Sequence, residues 1–564
     1  MTRAGEHVAA GNDAASPAVA EGRAAVEAVV THFFRQYPNF GRRAGWHAAD
    51  GFLPSPGPRP AAELDRLRAV VAGSLRTLPG SDELAATYVN ELRADLGAAL
   101  HMVQAEQFQL NALGQTYFTP PEILAETDLS PYLRGYAPEP ERIAALEAHL
   151  AALQGFLAEA ARTLPARLPA GERLRSLELA QAQAGHITTV TGRLSPGQSA
   201  AAQARRDLAA AAAAACEEYG RAVAGTKPAA QLYGPDRLAE FLRVVEGIEQ
   251  PARELLDQAR AEVAAAQTGL DALAGQLGVA DRREAVALLA EQVGADPEAT
   301  FAAILQRVRD FWARADLVSM DTATPLEVDH ADGPSSVATV EFQVSAPLEP
   351  VRPPHVLFLP EPPAEPGAPP SALRRQFLND AMLEILAVHE AYPGHYVHAE
   401  AAARGGSVIR TCFPCLGGLT EGWAHYAEEL AVEHGLAEGR PLVKIAQLRS
   451  ALESAARLVA FLSMHLKQTG FAAAVGEAVN SCGWSEERAA REVLAVTSQS
   501  LGAMYALGKL VIRDWRDSAG IKARPDLKQF HDHLLRCGTA PLSIAKQYWL
   551  DQTNQSALRY LEVP

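Results

Sequence analysis

Helical periodicity is the strongest constraint that this 564-residue sequence places on its fold. Apolar residues recur every three or four positions over residues 83–113, 138–164, 200–224 and 235–277, with charged residues between them. Residues at that spacing line one face of an α-helix, and such a face has to pack against another element. The alanine run at 209–215 agrees, because alanine has the highest helix propensity. We therefore predict a mainly α protein with a large packed helical body.

One region breaks this pattern, between about residue 316 and residue 371. Residues 337–344 alternate branched or aromatic side chains with others, and residues 355–359 form a second short apolar run between prolines. Such runs are typical of strands. We predict a small antiparallel sheet here, followed by a proline-rich loop at 360–370.

The domain organisation is predicted from the same patterns. A flexible N-terminus would occupy residues 1–22, an N-terminal helical half residues 23–315, and a C-terminal catalytic half residues 316–564. The two halves would form one compact body with a central cleft between them.

Charge and cysteine content exclude several classes of partner and compartment. A net charge of −16 argues against a nucleic-acid partner, because an acidic surface repels phosphates. The N-terminus lacks the apolar core of a signal peptide, and no apolar run reaches about 18 residues, so no membrane association is predicted. Five cysteines do not resemble a secreted disulfide framework, and Cys412 with Cys415 forms a lone C-x-x-C that we interpret as structural. We expect a cytoplasmic protein. The sequence makes no prediction of its oligomeric state.

The segment 389–395 reads H-E-A-Y-P-G-H, a zinc-hydrolase motif lengthened by a Pro-Gly pair. In the usual H-E-x-x-H pattern, two histidines one turn apart bind zinc while the glutamate acts as general base toward a water molecule. His389 and His395 are six residues apart and would point about 120° away from each other on a regular helix. Pro393 lacks the N–H that would bond to the carbonyl of His389, and Gly394 lets the backbone widen. We predict a π-like turn that brings both imidazoles to one side.

Glu421 is the predicted third zinc ligand. Zinc hydrolases of the helical type take a glutamate from the next helix, a few tens of residues along the chain, and Glu421 lies 26 residues after His395. One zinc ion per chain, held by two histidines and one glutamate, would keep an open position for water. Glu390 would then take the proton of the attacking water and later deliver it to the leaving group.

Two other metal sites compete with this one. His395 and His398 would share a face on a regular helix and could bind a metal with Glu421 or His425. A di-iron site in a helix bundle would require repeated E-x-x-H pairs, and no such pair occurs around Glu390 or Glu421.

Further motifs accompany the histidine motif in order along the chain. They are the stretches F-F-R-Q-Y-P at 33–38, G-W-H at 45–47, D-G-F-L-P at 50–54, E-G-W-A-H-Y-A-E at 421–428, Y-A-L-G at 505–508, and F-H-D at 530–532 with Gly538 and P-L at 541–542. Together with H-E-x-x-P-G-H they resemble the bacterial family called domain of unknown function 885. The resemblance spans nearly the whole chain and implies a helical, zinc-dependent, metallopeptidase-like hydrolase. Tyr396 and His398 depart from the family pattern, which usually has histidine and glutamine there.

Two residues in the later motifs are candidates for catalysis. Tyr505 would stabilise the oxyanion that forms when water adds to a carbonyl, or it is a core aromatic with a bonded hydroxyl. His531 would donate a hydrogen bond to the tetrahedral intermediate, or it only begins a helix.

The candidate substrate-binding residues are Arg513, Arg516, Tyr396, His398 and His425. The two arginines could bind a substrate carboxylate bidentately, but the favoured interpretation is that they are ordinary exposed or ion-paired side chains. His425 could instead lie behind the metal ligands or in a pocket wall.

We predict a zinc-dependent hydrolase of an amide or peptide bond, acting as a peptidase on short peptides in the cleft. The first alternative is a metal-dependent enzyme acting on a non-peptide amide, which the departures at Tyr396 and His398 motivate. The second alternative is a catalytically inactive helical binding protein. The expected partner is a small peptide or amide substrate, with no nucleic acid and no membrane.

Overall fold

The fold was analysed in a computed structural model. It describes residues 16–57, 61–78, 86–112, 118–291, 297–330, 340–360, 372–413 and 417–553. Helices account for most of these residues, so the prediction of a mainly α protein is confirmed. Among the described residues, no helix has both the length and the apolar character needed to cross a membrane.

The N-terminal helices pack around one apolar core that includes Val29, Leu96, Leu150 and Ile187. The helices are α1 (Pro17–Gln36), α2 (Pro38–Ala44), α3 (Ala62–Thr77), α4 (Ala86–Ala112), α5 (Pro120–Ala125), α6 (Glu139–Thr163), α7 (Ala170–Arg193) and α8 (Ala200–Gly225). Because α1 begins at Pro17, residues 17–22 of the predicted flexible segment lie in a helix. The rest of the predicted flexible segment, residues 1–15, lies outside the described residues.

Most of the remaining helices surround a second, larger core, while Ile409 belongs to the first core and Ala285 to a third, smaller one. The remaining helices are α9 (Pro235–Phe241), α10 (Ala252–Leu277), α11 (Arg282–Ala287), α12 (Pro297–Ala315), α13 (Ala372–Phe377), α14 (Asp380–Leu386), α15 (His395–Arg404), α16 (Val408–Cys412), α17 (Gly418–Glu433), α18 (Pro441–His465), α19 (Phe471–Cys482), α20 (Glu486–Ser498), α21 (Leu501–Ser518), α22 (Arg524–Arg536) and α23 (Leu542–Gln552). Short 3₁₀ helices lie at His47–Ala49, Ser130–Leu133 and Leu288–Glu291. The second, larger core takes residues from Ala94 to Trp549, so it crosses the predicted boundary between the two halves.

The predicted helix at 235–277 is divided in two. A π-helical turn at Leu242–Glu246 follows α9 and ends at Gly247, whose φ of 70° lies in the left-handed region that favours glycine. Pro251 then precedes α10. The apolar spacing continues through the break, which explains why periodicity alone predicts one helix.

Two small sheets complete the fold. Strand β1 (Arg167–Pro169) pairs in parallel with β2 (Lys227–Ala229). In the second sheet, β5 (His355–Leu359) lies between β3 (Leu326–His330) and β4 (Glu341–Gln343).

The second sheet agrees with the prediction only in part. The predicted antiparallel pairing is confirmed for β4 and β5, in which Phe342 lies opposite Leu357. The third strand, β3, was not predicted, and because it pairs with β5 in parallel the sheet as a whole is mixed. Residues 337–339 of the predicted first strand lie outside the described residues.

Helices α17 and α21 cross in backbone contact. A Cβ atom added to Gly508 would lie 1.8 Å from the carbonyl oxygen of Gly418, and one added to Gly422 would lie 2.4 Å from the Cα of Gly508. Only glycine allows such an approach. The crossing brings Tyr505 on α21 beside Glu421 on α17.

Candidate metal centre

The histidine motif interrupts its helix, as the sequence predicts. After α14, a π-helical turn at Ala387–Ala391 carries His389, and the N–H of Tyr392 bonds to the carbonyl of Ala387 at 2.9 Å. The N–H of Gly394 then bonds to the carbonyl of Val388 at 3.0 Å, and α15 begins at His395. A Cβ atom at Gly394 would lie 1.6 Å from the carbonyl oxygen of His389, so this return requires glycine.

The turn places the predicted metal ligands together. The Oε2 atom of Glu421 lies 3.5 Å from Nε2 of His389 and 3.4 Å from Nε2 of His395. With zinc–ligand bonds of about 2.0–2.1 Å, the ligand atoms of a tetrahedral site stand about 3.4 Å apart. These separations match that geometry. Oε2 of Glu421 is also buried without a hydrogen-bond partner, as a ligand atom facing a cation would be.

Glu390 belongs to the same group but fits a ligand less well. One atom from each of His389, Glu390 and His395 lies within 4.8 Å of the others. Oε2 of Glu390 is 4.0 Å from Nε2 of His395, which is longer than either Glu421 separation. By these distances Glu421 fits the position of a third ligand better than Glu390 does.

The charges around the site favour a cation. Burial alone would raise the pKa of Glu421, but the imidazoles of His395 and His389 hold it well below its usual value. Burial also opposes a charge on His389, yet Glu421 and Glu428 raise its pKa well above the ordinary value. The acidic side chains of Glu390, Glu421 and Glu428 therefore surround the imidazoles of His389 and His395. A divalent ion would neutralise this surplus of negative charge.

Glu428 is a candidate site residue that the sequence analysis does not assign. Its Oε1 atom accepts a hydrogen bond of 2.7 Å from Nδ1 of His389. A bond of this kind fixes the ring with its Nε2 lone pair free to bind a metal. A signal was present in the sequence, because Glu428 ends the E-G-W-A-H-Y-A-E motif and lies two helical turns after Glu421 on the same face.

Tyr505 lies beside the predicted metal ligands, and its catalytic role stays a prediction. Its ring stacks on that of His389, with centroids 5.6 Å apart and 12° between the planes. Burial raises the pKa of Tyr505 well above its usual value, and the charges of Glu421 and Glu390 add to the effect. The phenol therefore keeps its proton and can donate it in a hydrogen bond.

A cavity of about 640 Å³ opens onto the metal centre. His395 and Glu421 lie in its wall, with helices of the N-terminal half on the other side. Phe342 of β4 also lines it and stacks on His395 at 6.3 Å, so the sheet stands beside the centre as predicted. This cavity corresponds to the predicted central cleft.

His531 does not reach this cavity, contrary to its predicted catalytic role, and neither does His425, which takes its alternative predicted position behind the ligands. Both side chains are fully buried. Nδ1 of His531 bonds to the carbonyl of Leu317 at 2.8 Å and its Nε2 lies 3.0 Å from the hydroxyl of Tyr426, so it joins elements of the core. His425 lies behind the ligands, with Nδ1 3.3 Å from Glu428.

The predicted substrate-binding roles of the two arginines and Tyr396 also do not agree with the structure, because each side chain binds other groups of the protein. Arg513 pairs with Glu262 and, at 3.1 Å, with Glu429. Arg516 pairs with Glu433 at 3.1 Å and with Asp517 at 2.9 Å. The hydroxyl of Tyr396 donates to the carbonyl of Thr324 at 2.6 Å, inside the core. None of the three lines the cavity among the described residues.

His398 lines the cavity, but not as a metal ligand. Its Nε2 lies 2.9 Å from the carbonyl of Gly538, and burial lowers its pKa to about 4. The rival metal site built on His398 is therefore not formed. Cys412 also lines the cavity with a free thiol, while Cys415 lies outside the described residues.

Comparisons with known proteins agree with this picture at the level of the fold. The family model described as "Bacterial protein of unknown function (DUF885)" matches residues 40–548. A candidate lipoprotein of unknown function from Shewanella oneidensis is 18% identical, with a TM-score of 0.72 over 95% of this chain and 100% of its own. A candidate lipoprotein from Colwellia psychrerythraea is 15% identical, with a TM-score of 0.72 over 95% of this chain and 99% of its own. No curated protein matches the sequence.

Proposed function

The chain belongs to the DUF885 family of bacterial proteins, and we propose that it is a zinc-dependent hydrolase of amide bonds that cleaves short peptides. The proposal rests on the separations of 3.5 and 3.4 Å between Glu421 and the two imidazoles, at the wall of a substrate-sized cavity. His389, His395 and Glu421 would hold the ion.

Each neighbouring residue then has a task. When bound, zinc lowers the pKa of a water molecule and polarises the carbonyl of the amide. Glu390 takes the proton of the attacking water and returns it to the leaving amine. Burial raises the pKa of this carboxyl, which strengthens it as a base. The hydroxyl of Tyr505 donates a hydrogen bond to the oxyanion, and Glu428 holds the ring of His389.

A turnover assay tests this function. The zinc-loaded protein is incubated with a panel of di- to hexapeptides, and products are identified by mass spectrometry. We expect cleavage that Glu390→Gln reduces by about 10²–10⁴-fold, the contribution of a general base. Glu433→Gln, on the same helix as Glu421 but paired with Arg516, is the matched control and should keep full activity. Full turnover by Glu390→Gln would exclude the proposed mechanism.

A non-peptide amide is the second candidate substrate. His398 lies in the cavity wall, at a position where the chain departs from the family pattern. Stoichiometric zinc without cleavage of any peptide would favour this candidate. Partner binding that survives removal of the metal would instead favour the inactive binding protein.

The cytoplasmic location stays a prediction. The two structural relatives are described as lipoproteins, and a lipid anchor on this chain would place it at a membrane surface instead. Fractionation of cells that express the native gene, with detection of the protein in the soluble and membrane fractions, distinguishes the two locations.

A further inference from the structure

Three aromatic rings form one part of the cavity wall. The ring centroids of Phe108 and Tyr233 lie 6.1 Å apart, those of Phe108 and Phe241 6.1 Å, and those of Tyr233 and Phe241 5.2 Å. All three residues line the cavity that opens onto the metal centre. We call this group the aromatic cage.

Tyr233 is held firmly in the cage. Its ring stacks on His465 at 4.3 Å, and its N–H donates to Nδ1 of His465 at 3.2 Å. Burial lowers the pKa of His465 to about 4, so this imidazole is neutral and does not compete for a cation.

A buried carboxylate belongs to the same cavity wall. Glu172, in the first turn of α7, is 5% exposed and lines the cavity. The preceding residue fixes its position: the N–H of Gly171 donates to Oγ of Ser498 at 3.0 Å, and a Cβ on Gly171 would lie 2.6 Å from the carbonyl of Leu494. The start of α7 is thus pressed against α20.

The same contact connects the carboxylate to the metal centre. Ser498 and Leu501 both line the cavity, and Leu501 packs against Gly417, 2.5 Å from the position of an added Cβ. That Cβ position is 3.5 Å from Cγ of Glu421. Ser498 and Leu501 are three residues apart, and three residues of chain span at most about 10 Å. A ligand a few residues long can therefore reach from the cage to the proposed metal ligands.

We propose that the aromatic cage and Glu172 bind a protonated amine of the substrate, so that the enzyme acts on amides that carry a free ammonium group. This inference rests on the proposed function and names the substrate class for the same site. Aromatic faces attract ammonium groups through their quadrupole, and a carboxylate supplies the opposite charge and a strong hydrogen bond.

The polar groups near the cage are acidic. Glu246 is 2% exposed with Oε1 lacking a hydrogen-bond partner, and burial raises its pKa well above the ordinary value, so it is a neutral acid in the free protein and Glu172 is the carboxylate of the cavity wall on which the proposal rests. Burial raises the pKa of Tyr233, and Glu172 and Glu246 contribute, which places both acidic side chains near that ring. Among the described residues that line the cavity, Arg43 carries the one lysine or arginine charge, and its side chain is exposed.

Binding of a matched peptide pair tests the proposal without turnover. Trileucine and N-acetyltrileucine have the same side chains, and only the first has a protonated amine. Their affinities are measured by calorimetry on the full-length, zinc-loaded Glu390→Gln protein. We expect trileucine to bind at least about ten-fold more tightly, the ratio that one charged contact supplies.

Variants assign the effect to the cage. Glu172→Gln should remove the ten-fold ratio and Tyr233→Leu should reduce it, while Glu178→Gln should leave it unchanged. Glu178 lies on the same helix and pairs with Arg491 at the surface. If Glu172→Gln does not fold, Tyr233→Leu still decides the matter, because it keeps the carboxylate and removes one ring.

The possible results separate this proposal from the proposed function. Equal affinities for the two peptides, no binding of either, or an unchanged ratio in both cage variants would overturn it. Tight binding of the N-acetylated peptide Leu-Leu-Lys-amide would support it and identify a side-chain amine as the occupant. Zinc content and turnover are measured separately, so a protein without zinc that still distinguishes the peptides would refute only the hydrolase.

Discussion

Carboxylates lie at both ring nitrogens of His389. Glu428 accepts a hydrogen bond of 2.7 Å from Nδ1, and Glu421 lies 3.5 Å from Nε2 on the opposite edge. The first contact selects the tautomer, and the second lies where the proposed ion would bind. Helix α17 therefore supplies both the proposed ligand Glu421 and Glu428, the residue that orients His389.

Removing the orienting carboxylate should weaken metal binding while leaving the ligands in place. We expect Glu428→Ala to lower zinc affinity by about 10–100-fold, the usual effect of losing such a contact. Competition with a chromophoric chelator measures the affinity. Glu433→Ala at the end of the same helix is the control, and equal affinities for the two variants would show that Glu428 does not orient His389.

A buried carboxyl in the N-terminal half makes stability depend on pH. Burial raises the pKa of Glu106 from 4.5 to about 8, against the hydrogen bond of 2.7 Å that it accepts from Tyr37. Its contribution to stability is fully present below about pH 4.5 and is lost as the pH rises through about 8. We expect Glu106→Gln to unfold at a higher temperature than the native protein at pH 9, with a smaller difference at pH 5. Thermal unfolding followed by circular dichroism checks this, and a difference independent of pH would contradict it.

The roles of single residues were only partly predictable. The π-turn followed from Pro393 and Gly394, because it is a local backbone effect of neighbouring residues. The buried position of His531 was not predictable, since its partners Leu317 and Tyr426 are more than 100 residues away in sequence. Side chains with distant partners reveal their contacts only in the folded chain.

At the scale of the elements, the crossing of α17 and α21 builds the site. Backbone contact at Gly422 and Gly508 sets Tyr505 beside Glu421. The next residue, Lys509, is 1% exposed and binds Glu262 of α10 at 2.8 Å and Glu429 of α17 at 2.9 Å. A buried charge needs such partners, and the network joins three helices around the crossing.

A methyl group at this crossing should disturb both stability and metal binding. We expect Gly508→Ala to reduce the free energy of unfolding by about 3 kcal/mol through overpacking and to weaken zinc binding, because α17 has to move. Gly476→Ala in α19 is the matched control, since its Cβ meets no atom within 4 Å, and it should be neutral or slightly stabilising. Denaturant unfolding and zinc titration measure the two effects. A Gly508→Ala protein as stable as Gly476→Ala would refute the close crossing.

Most elements with strong periodicity were predictable. The pattern at 83–113 corresponds to α4 (Ala86–Ala112), and that at 138–164 to α6 (Glu139–Thr163). Strand β3 was not predictable, because Leu326–His330 is largely exposed and lacks the alternation of a half-buried strand. Its parallel pairing with β5 depends on a partner almost 30 residues away.

At the scale of the whole molecule, the two predicted halves share their cores. The larger core takes residues from Ala94 to Trp549, and the other extends from Val19 to Phe413. Arg410, 1% exposed on α16, also binds Glu91 and, at 2.6 Å, Asp95 on α4. The predicted boundary at residue 315 therefore does not divide the protein into two separately packed cores.

A chain cut at this boundary should not fold. We expect residues 316–564 alone to lack a cooperative thermal transition and to be digested rapidly by protease, because α4, α9, α10 and α12 supply part of their core. The full chain should unfold in a transition that includes both halves. A protease-resistant fragment that binds zinc would contradict a shared core.

The metal content of the purified protein tests the central claim most directly. Elemental mass spectrometry should find about one zinc per chain, lost in His389→Ala, His395→Ala and Glu421→Ala. The neighbouring variants Glu433→Ala and His434→Ala should keep it. No zinc in the native protein, or zinc retained without His395, would contradict the site and with it the proposed hydrolase.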